Sequence, residues 1–166
     1  MFLWKKYKHL GSPTIKMWCA TETENTSDLS FGLDKTTLMR TFNTHFFEFM
    51  DDVIGIFPEN LEIVSARNTF ETFRKANPTA IVKVWYKYVF LKYNDMIQMG
   101  DLSYFLEKNY VDDLTNVSNP NRVLEVIDEL RAPLRSMGET NKKHTLKYIQ
   151  NLCRLSNMYA EAGGVV

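Results

Sequence analysis

Cysteine is scarce. The 166 residues hold two, Cys19 and Cys153, and neither belongs to a CxxC or CxxH pair. Two cysteines so far apart cannot staple a domain of this size as a disulfide framework does. A reducing compartment is expected, with one long-range bridge as the alternative. Glycine and proline are also few, at seven and five. That shortage excludes a collagenous chain and argues against a loop-rich sandwich, which leaves long regular elements. No run of about 18 apolar residues occurs, so no transmembrane helix is expected. The most apolar stretch, 80–91, is too short and contains Lys83 and Lys87. At the N-terminus the lysines follow the apolar residues and no apolar run of leader length comes after them, so no signal peptide is expected. Net charge is missing too: twenty Lys plus Arg meet twenty Asp plus Glu. Coating of nucleic acid by bulk charge and polyanion mimicry are thereby excluded. G-x-x-x-x-G-K-[ST], G-x-G-x-x-G, H-E-x-x-H and G-x-S-x-G do not occur, and glycine is too sparse for a phosphate-cradling loop, which argues against the common nucleotide chemistries.

What is present is apolar and aromatic. Hydrophobic residues make up 45% and charged residues 24%, a globular balance, and eleven Phe with eight Tyr suffice for a sizeable core. Breakers fall at Gly55 and Pro58, Asn77-Pro78, Gly100, Asn119-Pro120 and Gly138. Their intervals suit helices with short connections. The first helix is expected over 35–54, capped by Asp34, with Leu38, Met39, Phe42, Phe46, Phe49, Met50, Val53 and Ile54 on one side. The second is expected over 59–76, with a stripe of Leu61, Val64, Ala66, Phe70 and Phe73. The third opens at Asn77-Pro78, an N-cap followed by a first-turn proline. Its segment 80–91 is β-branched and aromatic, and reads as a central buried helix with a strand as the alternative. One extra turn is expected over 94–99. A short fourth helix, 102–109, is capped by Asp101, and 110–119 reads as a loop. The fifth opens at Asn119-Pro120 with Val123, Leu124, Ile127, Leu130 and Leu134 as its stripe, and Pro133 should kink or end it near Ala132. The sixth is expected over 140–160 with Leu146, Ile149, Leu152, Cys153 and Met158 inward. The fold class is therefore all-α: an irregular bundle of five to six helices over 35–160. It is preceded by an arm over 1–34 and followed by a tail over 161–166 that is a weak structure former.

The arm differs in kind from the body. Lys5, Lys6, Lys8 and Lys16 come with no acid, and Glu22, Glu24, Asp28 and Asp34 then follow with no base. Two of the three tryptophans lie here, Trp4 and Trp18. An aromatic arm of this kind is expected to dock, either on its own body or on a neighbour. Trp4, Lys5, Lys6, Tyr7, Lys8 and Trp18 are the expected partner-binding residues.

Chemistry-bearing patterns are weaker. His45, Glu48 and Asp52 share one helix face and form the best metal or acid–base candidate, although the di-iron order Glu-x-x-His is reversed and no second copy appears. The competing explanation, a solvated helix face, is preferred. A Cys–His nucleophile pair is disfavoured because His144 falls on the opposite side of its helix from Cys153, and Cys19 near His9 has no catalytic signature. No catalytic residue, cofactor or metal ligand is assigned. Arg131, Arg135, Lys142, Lys143, His144, Lys147 and Arg154 make the C-terminal region basic, whereas 94–118 is acidic with Asp95, Asp101, Glu107, Asp112 and Asp113 against Lys108. Opposite patches on a neutral chain favour protein docking, with nucleic acid second. Phe47, at the edge of the phenylalanine stripe, is a candidate interface residue.

The segment Thr41-Phe-Asn-Thr-His-Phe-Phe-Glu-Phe-Met-Asp-Asp-Val-Ile-Gly-Ile-Phe-Pro-Glu-Asn60, with Arg74-Lys-Ala-Asn-Pro78 and Tyr148-Ile-Gln-Asn-Leu152, resembles small helical proteins of nucleocytoplasmic large DNA viruses, the phycodnavirus-like ones especially. The resemblance spans about 35–160 and carries no functional residue. It implies a protein made in the cytoplasm or nucleus of a host cell and localised to the virion. The implied role is that of a minor capsid or scaffold component, not an enzyme, which contacts other capsid proteins. The alternative is an intracellular viral regulatory or nucleic-acid-associated helical protein.

Overall fold

The computed structural model describes residues 34–115 and 120–165. Trp4, Lys5, Lys6, Tyr7, Lys8, Trp18 and Cys19, together with the Asn119 cap, lie outside them. Among the described residues there are helices and no strand, as the all-α reading expects. Helix α1 is Lys35–Ile56 and α2 is Leu61–Ala76. Helix α3 is continuous through Ala80–Trp85, a π-helical turn Tyr86–Phe90, and Leu91–Met99. A short α4, Ser103–Glu107, and a 3-10 turn, Asp112–Leu114, lead to α5, Pro120–Ser136, and α6, Glu139–Glu161.

Local chemistry sets most of these boundaries. The Asp34 carboxylate accepts from the Thr37 N–H at 2.8 Å, and that bond holds its carboxyl below the ordinary carboxylate range. Asn60 caps α2 by accepting from the N–H groups of Glu62 and Ile63. Glu62 in the first turn and Arg74 and Lys75 in the last suit the helix dipole. Asn77 does not cap α3 directly. Its side chain accepts from the N–H and hydroxyl of Thr79, forming an Asx turn, and α3 begins only at Ala80. Pro133 neither ends nor shortens α5, which continues to Ser136.

The core lies between α1, α3 and α6. Leu38, Phe42, Phe46 and Phe47 from α1 meet Ile81 and Val82 from α3 and Leu152, Leu155 and Tyr159 from α6. Each such side chain removed from water contributes roughly 1.5–3 kcal/mol. The rings of Phe42 and Phe46 both meet Trp85 edge-on, with centroids 6.1 Å apart. Asn43, also buried, donates to the Pro78 carbonyl at 2.8 Å and ties α1 to the α2–α3 turn.

Several expectations need correction. Phe47 is an interior residue, roofed by the guanidinium groups of Arg67 and Arg74 at 5.2 and 4.6 Å from its ring. The buried position of α2 is Ile63, whereas Leu61 and Phe73 are exposed. The face that α2 turns to α1 contains Arg67 and Arg74, whose guanidinium groups lie over the Phe47 ring while they pair with Asp51 and Glu71. Helix α3 is not buried all round. Ile81, Val82 and Ile97 are buried, but Val84 and Leu91 are more than half exposed. Its π turn explains the register. The Leu91 N–H bonds to the Tyr86 carbonyl, five residues back. One extra residue in a turn rotates everything downstream by about 100°. The inward stripe therefore runs from Ile81 and Trp85 across the wide turn to Tyr93 and Ile97, and Lys92 beside it reaches Asp113. Residues 161–165 are tied to the end of α6, although the sequence reads there as a weak structure former. Gly163 adopts φ 74°, and the Gly163 and Gly164 N–H groups bond to the carbonyls of Ala160 and Tyr159, closing α6 with a left-handed glycine cap.

Gly164 lies directly against the Tyr159 ring, so an added Cβ would penetrate it. Tyr159 is buried and cannot swing aside. Gly164→Ala should therefore lower stability by about 1–3 kcal/mol in thermal unfolding. Gly55→Ala, in open space inside α1, should raise it by about 0.5–1 kcal/mol.

Candidate functional site

Helix α1 presents His45, Glu48 and Asp52 toward α6. The His45 Nδ1 lies 3.5 Å from a Glu48 carboxylate oxygen. The imidazole packs on the Tyr148 ring of α6 with centroids 4.8 Å apart, and Phe49 packs on the same ring. Burial, then a hydrogen bond to Asp52, push the Tyr148 phenol far above its ordinary value. The three residues are thus brought to an inter-helix contact and not to an open ligand set. Nor is the face simply solvated, because His45 is half-buried and its Nε2 is shielded without a partner. Among the described residues no three His, Cys, Asp or Glu side chains are grouped so as to hold a metal ion.

Cys153 is fully buried on the inner face of α6, while His144 is exposed. The structure does not bring them together. Burial pushes the Cys153 thiol up to about 11, far from a nucleophile's requirement.

A dense polar cluster among the described residues is not apparent in the sequence. It lies where α3 meets the connector between α4 and the 3-10 turn. Asp113 accepts from the Tyr93 phenol at 2.5 Å, from Lys92 at 3.3 Å, and pairs with Lys108 at 3.1 Å. The Lys108 ammonium also lies 5.6 Å from the ring centre of Tyr93, 5.9 Å from that of Tyr104 and 5.8 Å from that of Tyr110. The phenol of Tyr93 and the neighbouring ammonium groups hold the Asp113 carboxyl below its ordinary range. Burial, followed by the bond to Asp113, raises Tyr93, and burial pushes Tyr110 up to about 12. Asp113 raises Lys108 in turn. Three tyrosines spread over 93, 104 and 110 have no helical or strand period. The sequence signal at this place was acidity alone.

The charged patches are partly neutralised from within. Arg131 donates to the Lys108 carbonyl and pairs with Asp128, and Arg135 donates to the Leu106 carbonyl. Both thus satisfy carbonyls at the end of α4. Lys142 pairs with Glu139, and Asp101 accepts from the Ser103 N–H at the start of α4. Lys143 and Lys147 remain exposed on α6, one turn apart. Large apolar side chains are also exposed: Leu61 at 77%, Met99 at 76% and Leu91 at 61%, with Phe73, Val84 and Val111 beyond half. Among the described residues no helix is long and apolar enough to cross a membrane. No family model, no curated protein and no solved structure matches the chain.

Two outcomes are expected. Cys153 should resist alkylation by iodoacetamide at pH 8 in the folded protein and react fully in guanidinium, read by peptide mass spectrometry. Asp113, with its carboxyl held low in the fold, should contribute stability that is complete above about pH 4, the unfolded carboxylate value, and that fades as acid titrates the folded group. In denaturant titrations the gap between wild type and Asp113→Asn should therefore be constant from pH 5 to 8 and close below pH 4.

Proposed function

We propose that the chain is a non-enzymatic interaction protein that docks on neighbouring proteins, and that it serves as a minor capsid or scaffold component of a large DNA virus. The observation that carries the docking reading is the set of large apolar side chains exposed on α2 and α3, Leu61, Phe73, Val84 and Leu91 among them. A folded chain that buries Phe42 and Leu152 completely has apolar surface to spare, and exposed Leu and Phe side chains suit the core of a protein interface. The exposed Lys143 and Lys147 on α6 and the exposed carboxylate of Asp95 on α3 supply charge of both signs for orientation. The capsid assignment is supported by the resemblance of 41–60 to proteins of large DNA viruses. The arm residues Trp4 and Trp18 extend the same reading to the N-terminal segment.

The alternative is a nucleic-acid-associated regulatory protein. Lys143 and Lys147 favour it, because both are exposed on one face with His144 between them.

Mass spectrometry of purified, nuclease-treated particles separates the two. A fixed ratio of this chain to the major capsid protein across gradient fractions is expected. Absence from particles but presence in infected-cell extract would overturn the capsid reading. Affinity for nucleic acid that falls steeply with salt, in step with the Lys and Arg engaged, would then support the alternative.

A further inference from the structure

The cluster around Lys108 has the shape of a cage. The rings of Tyr93 and Tyr110 stand at 80° to each other, so they form separate walls and not a stack. Tyr104 closes a third side with its hydroxyl edge, which meets the Lys108 ammonium, and is itself fixed edge-on against Phe105. Phe105 in turn meets Tyr93 edge-on with centroids 5.8 Å apart. The Asp113 carboxylate closes the remaining side at 3.1 Å from the ammonium. Aromatic faces with one carboxylate are the chemistry that recognises an ammonium, and quaternary ammonium most of all.

The spacing favours a larger cation than the one present. The Lys108 nitrogen is 5.6–5.9 Å from all three ring centres, near the outer limit of about 6 Å for such contacts. A methyl carbon placed about 1.5 Å from that nitrogen and aimed at the ring of Tyr93 or Tyr110 would stop about 4 Å from its centre, at ordinary van der Waals contact. A bare ammonium leaves that space unfilled, and a methylated one fills it.

We propose that Tyr93, Tyr104, Tyr110 and Asp113 form a recognition cage for a methylated ammonium group, and that Lys108 is its displaceable resident. Displacement exchanges one ammonium for another at the same rings and carboxylate, so the ring contacts are kept. What is given up is the direct pairing of Lys108 with Asp113, whose side chains are 23% and 24% exposed, a contact that holds by about five-fold in partly exposed pairs. Lys108 springs from a short connector outside α4, so its side chain can leave without unwinding a helix. Asp113 keeps Lys92 and the Tyr93 phenol when Lys108 departs. The site uses none of the exposed apolar side chains, and it stands whether or not the chain belongs to a virion.

The test is an NMR titration of the full chain with tetramethylammonium chloride, against sodium chloride at the same ionic strength. Wild type, Lys108→Ala and Lys108→Met are compared. Saturable shifts of the Tyr93, Tyr104 and Tyr110 ring protons are expected with the organic cation alone. Freed of competition, both variants should bind up to about five-fold tighter than wild type, and Tyr104→Leu should abolish the saturation. Shifts that stay linear and match the sodium control in wild type, with circular dichroism unchanged, would overturn the proposal even if both Lys108 variants failed to fold. Choline and a trimethyl-lysine peptide then distinguish the source of the group. Tighter binding of the peptide than of tetramethylammonium identifies a protein-borne ligand, and equal or tighter binding of choline identifies a free amine.

Discussion

The seam between α1 and α6 governs the described structure. Phe42, Leu152 and Cys153 are all withdrawn from water completely, and among the described residues no other pair of helices packs as extensively. Helix α3 lies against this seam along its length. The Ile97 carbonyl near its end accepts from Gln150 of α6 at 3.1 Å, and Asn43 anchors its beginning through Pro78. Once α1 and α6 are fixed, the remaining helices have little freedom. Helix α2 must cover Phe47, and α4 and α5 must settle where Tyr93 and Lys92 receive Asp113.

Polar groups do much of this settling. Arg67 and Arg74 roof a phenylalanine, while Arg131 and Arg135 satisfy carbonyls of α4 and the connector after it. The C-terminal basic region thus divides into residues held within the fold, Arg131 and Arg135, and residues directed outward, Lys143 and Lys147. Counting charges along the chain does not separate these roles. Their partners come from segments distant in sequence, and a pair of side chains meets only after the helices have packed.

The contrast explains which features the sequence made legible. Helix existence and type followed from local signals: the Asp34 cap, the Leu38–Phe42–Phe46 spacing, the Asn-Pro and Gly punctuation. The inward face of α6 was half visible, with Leu152 and Cys153 recognised but Leu155, Ser156 and Tyr159 missed, because a serine and a tyrosine do not mark a core stripe. The stripe expected for α2 counts apolar residues alone, whereas the face turned to α1 includes Arg67 and Arg74, whose guanidinium groups cover Phe47. The tyrosine cluster could not be read at all. It depends on the register of α3 beyond Phe90, and that register is set by a wide turn with no sequence mark of its own.

That wide turn also bears on ancestry. A π turn is geometrically one residue more than the α-helix around it needs. Among relatives of this chain, gain or loss of a single residue between Trp85 and Leu91 would leave the helix intact and exchange which face of its second half meets α6. A one-residue gap in an alignment there would mark a lineage in which Tyr93 no longer faces Asp113, so that the bundle could be inherited while the tyrosine cluster was not.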